Sequence, residues 1–387
     1  MKILMIAPGS SQHSQRPLNW LLQNEYDVVF MDSVNPYPEG HANYQFIPYP
    51  EPRLTRYYKW FGKNTAKWLA LWTVALPLRL LWEQIKPDIT HVHWVDHRAY
   101  HCAKAELRPL VLSVWGTDVN QHFLSDAEPE NCWIIGQALA YANRVIAETP
   151  FMAERCNLLA RQKINTEQLS LGVDTKLFRP GYSEAALEWK QRLNVPVEFK
   201  VLLSPRAWTR NYGHHLILEA FALARSRLKN NTVLAFLMFN RRSYGDAMSY
   251  EKELRCRAEE LGITEWIRWI NEVSMAILPE VYAFADVVIN FPTMDSLPFT
   301  LLEVAACERP VITSRMPSYK GTIAEKYFYT VEPDDVTALA DAIVHVLNED
   351  PVQRLDMLSR ARRVVEQEYN ESIFIKHLSS IYKELAY

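Results

Sequence analysis

The chain has little of what marks secreted, membrane-spanning or nucleic-acid-binding proteins. Its five cysteines (Cys102, Cys132, Cys156, Cys256 and Cys307) are odd in number, widely spaced and form no CxxC pair. That speaks against a disulfide framework and reads as buried thiols in a reducing compartment. The one mainly apolar stretch of note, residues 68–82, is fifteen residues long and contains Pro77 and Arg79. A spanning helix needs about 20 apolar residues, so it is not expected to cross a membrane. The opening run, MKILMIAPGSS, is too short in apolar length for a secretory signal and meets a turn at once. It reads as the first strand of a sheet, and the expected location is cytoplasmic. A net charge of only −3 offers no whole-surface attraction to nucleic acid. No internal repeat or low-complexity tract is visible.

What is present is a globular composition, 49% apolar and 22% charged, over 387 residues. That length is enough for two domains of ordinary size, each with its own core. Short apolar runs alternate with helix-length amphipathic segments, the pattern of a parallel sheet with crossover helices. Strands are expected at 3–7, 28–31, 89–93, 110–114, 144–147 and near 168–171. The pattern restarts at 200–204 and continues through 233–239, 267–270, 287–291, 311–313 and 327–331. Between the halves, Phe178-Arg179-Pro180-Gly181-Tyr182 holds a Pro-Gly turn that reads as a linker. The expected domains are therefore 1–181 and 182–369, followed by a helical segment, 370–387.

The most informative stretch runs from Asp295 to Glu303, two carboxylates eight positions apart. A strand precedes the first, and the second begins a helix that ends before Pro310. Free N–H groups at such a helix start suit a diphosphate. A carboxylate one turn in is placed to accept hydrogen bonds from sugar hydroxyls.

The stretch resembles the acidic-x7-acidic signature of retaining, nucleotide-sugar-dependent glycosyltransferases of family 4. The resemblance implies an α/β GT-B fold, two doubly wound Rossmann-like domains facing a central cleft. The N-terminal domain would bind the acceptor and the C-terminal one the donor. Leu171-Gly172-Val173-Asp174 with Phe178-Arg179-Pro180 is similar to the element that closes the first domain. Ser204-Pro205-Arg206, Gly213 and Leu216–Phe221 are similar to the "GR…KG" element, in which the Arg contacts the donor diphosphate. The family's Lys falls at Tyr212, and Arg210 is the nearest basic substitute. Trp269 to Val273 resembles the stretch that shapes the base pocket, with Asn271 where the family has Gly. Further departures are Asp295 for Glu, and Ser296, Pro298 and Glu308 for glycines. The N-terminal loop has a single glycine, Gly9, in place of a pair. Val114–Asp118 aligns with the "HG.D" element, but Trp115 stands where the family often has its active-site His.

The activity so implied is hexose transfer from a nucleotide-diphosphate sugar, UDP-sugar first and GDP-sugar next, with retention and without a metal or other cofactor. Charge growing on the departing phosphate would be met by Arg206, Arg210 and the amides of Phe299 and Thr300. Glu303 would hold the ribose, and Asp295 a hydroxyl of the donor sugar. Leu301, Asn271, Val273 and Gly9 would complete the donor site. Asp118 would help orient the acceptor, with His93 and Trp115 on the acceptor side. Each residue also has a plainer reading. Glu303 could be a dipole-stabilising helix residue, Asp295 an N-cap, Asp118 a turn residue, and Arg206 or Arg210 a surface cation.

Two other features stay open. His91-Val92-His93-Trp94-Val95-Asp96-His97 looks like the HxHxDH zinc cluster of metallo-β-lactamase-like hydrolases. Its spacing is one residue too long and no further ligand set completes it. From 53 to 86, seven Arg and Lys residues against Glu83 are interleaved with Tyr and Trp. That mixture suits an anionic bilayer surface, and family members often glycosylate lipid-linked acceptors there. An ordinary crossover helix behind a basic loop would read the same way. A non-catalytic sugar-binding protein or a phosphorolytic enzyme on the same fold are the remaining alternatives.

Overall fold

The computed structural model describes residues 1–36, 41–50, 73–238 and 247–386. Most of the basic and aromatic stretch at 53–86 thus lies outside the described residues. Its end, 73–85, is a helix in which Arg79 pairs with Glu83 and lies 4.9 Å from the Trp82 ring. No helix among the described residues is long and apolar enough to cross a membrane.

The chain forms two compact units, Met1–Leu171 with Phe374–Tyr387, and Gly172–Ile373. The first contains strands β1 (Lys2–Ile6), β2 (Asp27–Asp32), β3 (Tyr44–Pro48), β4 (Ile89–His93), β5 (Leu110–Val114), β6 (Arg144–Ala147) and β7 (Thr166–Gln168). They make one parallel sheet in the order β3-β2-β1-β4-β5-β6-β7. The second contains β8 (Lys200–Ser204), β9 (Thr232–Leu237), β10 (Ile267–Ile270), β11 (Val287–Asn290), β12 (Val311–Ser314) and β13 (Tyr329–Val331), ordered β10-β9-β8-β11-β12-β13. Helices cover both faces of each sheet, which is why the central strands are buried throughout and read as apolar runs rather than alternating ones.

Two departures from the expected elements have physical causes. β3 carries no apolar run, because it is an edge strand whose residues are mostly only half-buried. The first unit ends at Leu171 rather than near 181. Val173 donates its amide to Tyr369 O (2.8 Å) and accepts from Glu371 N (3.0 Å), while Phe178 is buried in the second unit's core. The last helix, Glu371–Ala386, enters the first unit from Phe374 onward. Its Tyr382 hydroxyl meets His91 Nδ1 at 2.5 Å, and Ser379 meets the Tyr26 hydroxyl at 2.5 Å.

In an open parallel sheet, ligands bind beyond the carboxyl ends of the strands where the strand order reverses. The reversals fall between β1 and β4 and between β8 and β11.

Candidate active site

The loops that follow β8 and β11 carry Arg206 and Asp295. Arg206 Nη2 lies 2.9 Å from Asp295 Oδ2, although 89 residues separate them in the chain. Both side chains are nearly buried. The Arg206 guanidinium also rests 4.0 Å from the Tyr212 ring centroid, and its Nη1 reaches Thr300 Oγ1 at 3.5 Å. Burial works against the charged guanidinium, but the Tyr212 and Asp295 oxygens outweigh it and raise its pKa. Burial pushes the Asp295 carboxyl upward, while Arg206 and the Ser296 amide pull it back. At 2.9 Å from a permanent cation, the carboxylate is the ionised partner.

Asn211 ties the two loops together. Its Nδ2 donates to Met294 O (2.8 Å), its Oδ1 accepts from Met294 N (3.1 Å), and its own carbonyl accepts from Thr293 N (2.8 Å). Gly213 closes the first of them at φ +61°, where a Cβ would stand 2.4 Å from Phe291 O. Only glycine fits that contact and that dihedral together. The helix Phe299–Ala306 starts behind Pro298, whose side chain makes no cap. Thr300 thus sits in a first turn whose N–H groups face away from the helix body. Leu301 and Glu303 are buried, and Glu303 Oε2 accepts from the Tyr282 hydroxyl at 2.9 Å.

Other expected site residues are placed differently. Arg210 is exposed and engaged by Glu253, with its guanidinium 5.3 Å from the Tyr250 ring. Asn271 is exposed just past β10, and Val273 packs on the core. Gly9 donates its amide to Asp32 Oδ2 (2.8 Å), and a Cβ there would meet Val34 O at 2.1 Å. Its glycine answers a close backbone approach within the first unit. Asp118 is fully buried and accepts from the amides of Val95 (3.0 Å), Trp115 (3.1 Å) and Gly116 (2.8 Å). Burial raises its pKa to about 6 in spite of those bonds. Through those amides it joins the loops after β4 and β5.

The zinc reading fails on geometry. His91 is bonded on both nitrogens, to Tyr382 and to Ser113 Oγ (2.8 Å). Asp96 caps the helix His97–Lys104 and pairs with Arg98, while His97 is exposed. Among the described residues no group of three or more His, Cys, Asp or Glu side chains could hold a metal ion. Burial lowers the pKa of both histidines on β4, that of His93 to about 3.

Sequence reasoning missed Asn211 and Ser318, whose hydroxyl donates to Asp295 O at 2.8 Å. Neither carries a local signal. The partnership of Tyr282 with Glu303 depends on how two helices meet.

Two doubly wound units, the second with an arginine–carboxylate pair at its strand reversal, define the class as the two-domain GT-B fold. Sucrose-phosphate synthase from Thermosynechococcus elongatus shares that fold with a TM-score of 0.80 at 16% identity, over 100% of this chain and 99% of the other. Anabaena Alr3699/HepE in complex with UDP aligns over 100% of both chains with a TM-score of 0.77, also at 16% identity. The model described as "Glycosyl transferase 4-like" matches residues 2–149, and "Glycosyl transferases group 1" matches residues 186–364. The chain belongs to these glycosyltransferases of the family 4 type. A D-inositol 3-phosphate glycosyltransferase of Corynebacterium urealyticum is 28% identical over 55% of this chain, and the match spans 50% of that relative's own length.

Proposed function

We propose that the chain transfers a hexose from a UDP-hexose, with retention at the anomeric carbon, to a saccharide or lipid-linked saccharide acceptor in polysaccharide or glycolipid assembly. The observation that carries this is the Arg206–Asp295 pair at the β8/β11 reversal, backed by Thr300 in the first turn of a helix whose N-cap residue, Pro298, makes no side-chain cap. Arg206 and the amides of Phe299 and Thr300 would receive the diphosphate and hold the charge that grows as the C1–oxygen bond breaks. Asp295 would then share Arg206 with the phosphate and accept from a hydroxyl of the donor sugar. Glu303, oriented by Tyr282, would accept from the ribose. The departing phosphate oxygen takes the acceptor's proton on the face where the new bond forms, so no separate base is required. Positive charge comes from the protein here, and the reaction is proposed to proceed without a metal.

UDP is favoured because a structural neighbour, Anabaena Alr3699/HepE, is described with UDP and with UDP-glucose. Peripheral contact with an anionic bilayer at the inner face of the cytoplasmic membrane is proposed through 53–86. In the described part of that stretch, Leu76 and Leu80 stand exposed one turn apart.

Thermal stability against a panel of nucleotide sugars and free nucleotides, with and without EDTA, tests the donor site. A ligand of the folded state raises the melting temperature by mass action. The expected result is a shift with UDP-hexoses that survives EDTA and is lost in Glu303→Ala. No shift with any nucleotide sugar would overturn the reading.

A further inference from the structure

The loop after β8 carries two cations, Arg206 and Arg210, and the loop after β11 carries none. Arg210 is exposed and engaged by Glu253, so of these two it is Arg206 that stands beside the helix start at Phe299. How that guanidinium is aimed therefore matters. It is a planar fork, and its hydrogen bonds lie close to its plane. The 2.9 Å contact from Nη2 to Asp295 Oδ2 fixes one point of the fork and leaves it free to turn about that point. The contact from Nη1 to Thr300 Oγ1, at 3.5 Å, is too long to hold the other side firmly.

Tyr212 supplies the missing constraint. Its ring covers the guanidinium, with the central carbon 4.0 Å from the ring centroid, and so opposes that turning. A cation is drawn to an aromatic face most strongly where water is excluded, and the Arg206 side chain is only 9% exposed. The loop's own backbone places the ring. Trp208 is buried against Phe236 and Trp269, and the Tyr212 amide donates to Thr209 O at 3.2 Å. On one side of Tyr212, Asn211 is bonded to Met294. On the other, Gly213 lies so close to Phe291 O that no side chain fits.

Held at one nitrogen by a carboxylate and across its face by a ring, the fork has a single direction. Nη1 is then the donor with capacity to spare, and it lies toward Thr300 in the first turn of Phe299–Ala306. We propose that Tyr212 is a positioning residue for hexose transfer, its ring keeping Arg206 Nη1 turned to the place where charge grows on the departing phosphate. This rests on the donor reading of that site, to which it adds the group that orients the guanidinium. Aim matters most where the charge is largest, in the transition state, so its loss falls on kcat more than on KM.

The test compares Tyr212→Leu, Tyr212→Phe, Arg206→Lys and the double variant Tyr212→Leu/Arg206→Lys in the full chain. UDP release from UDP-glucose, with water as acceptor, gives kcat and KM. NMR of the arginine side chains in the unliganded chain gives the exchange of the Arg206 Nε–H, assigned by its disappearance in Arg206→Lys. Expected is a fall of about tenfold in kcat for Tyr212→Leu, the scale of one desolvated cation–ring contact, with KM changed less than about threefold. Tyr212→Phe, which keeps the ring, should regain most of it. The double variant should be no slower than Arg206→Lys alone, since an ammonium has no plane for a ring to hold. The Arg206 Nε–H should exchange slowly in the wild type and fast in Tyr212→Leu. Wild-type kcat in Tyr212→Leu would overturn the assignment. So would single losses that multiply in the double variant, Tyr212→Phe as slow as Tyr212→Leu, or Nε–H exchange that ignores Tyr212. Urea unfolding checks each variant, and Tyr212→Met carries the same comparison if Tyr212→Leu does not fold. A wild type with no UDP release and no UDP affinity, whose Arg206 signal still depends on Tyr212, would instead overturn the donor reading and leave the orientation of Arg206 standing.

Discussion

At the carboxyl end of the second sheet a guanidinium and a carboxylate lie 2.9 Å apart, beside a helix start whose N-cap residue, Pro298, makes no side-chain cap. At the same end of the first sheet, Asp118 is enclosed by backbone amides and Arg98 by two carboxylates, leaving Trp94, Trp115 and His13 at the surface. The two sheets share one topology rule, yet their reversals differ in chemistry. The second keeps its charges where a diphosphate could meet them. The first uses its charges to fix loops, and what remains is aromatic. Topology therefore gives both units the same kind of crevice, and the loops decide its chemistry.

The comparison can be broken most severely at Arg206. Arg206→Ala removes the cation and strands Asp295 in a nearly buried place. Turnover should fall about 100-fold or more, and stability by about 3 kcal/mol, read from kcat/KM and urea unfolding. A variant that folds as well as the wild type and turns over normally would end the donor assignment.

Asp118→Asn tests the other side. It should lower stability by about 2 kcal/mol, because the new amide cannot accept from three backbone N–H groups, while kcat of the folded fraction changes little. The pH signature is specific. Burial raises the folded pKa to about 6 from 3.8, so the folded state takes up this proton first. The contribution of that proton to stability is complete below about pH 4 and is lost as pH rises through 6, a dependence the Asn variant should lack. A kcat loss without a stability loss would move Asp118 back among the reacting groups.

Gly213→Ala sharpens the claim that Asn211 and Gly213 hold the donor loops. A strained φ and a Cβ 2.4 Å from Phe291 O should lower stability by about 2 kcal/mol in urea unfolding. Glu303→Gln keeps the shape but weakens acceptance from a ribose hydroxyl, and UDP affinity measured by calorimetry should drop about tenfold. Arg210→Ala should do least, under about 0.5 kcal/mol in stability and about twofold in kcat/KM, since its ion pair with Glu253 is exposed.

Much of the fold was legible in the chain. Twelve of the thirteen described strands lie at or beside an expected strand, and the central ones read as apolar runs because a strand covered on both faces is apolar along its length. The exception, β3, is an edge strand whose residues are at most half-buried. The expected linker at Pro180-Gly181 lies inside the second compact unit, Gly172–Ile373, since turn chemistry alone does not say which core a segment joins. Phe178 decided that by packing into the second unit. Within the site, Asp295 and Glu303 stood out through their spacing beside a strand and a helix together with the flanking resemblance, and Arg206 through the resemblance of Ser204-Pro205-Arg206 to the family element. Arg210, Gly9 and Asp118 came from the same resemblance, and the structure sets Arg210 against Glu253, Gly9 against Val34 and Asp118 among backbone amides.

The amino-acid order by itself determined the two parallel α/β units, the helix start at Phe299 and the glycine at 213, because periodicity, capping and dihedral preference act over a few residues. Tertiary structure alone decided that Arg206 finds Asp295 across 89 residues and that His91 is satisfied by Tyr382 across 291. Such pairings depend on which strands become neighbours, and strand order is settled by the packing of the whole sheet rather than by any stretch of its sequence.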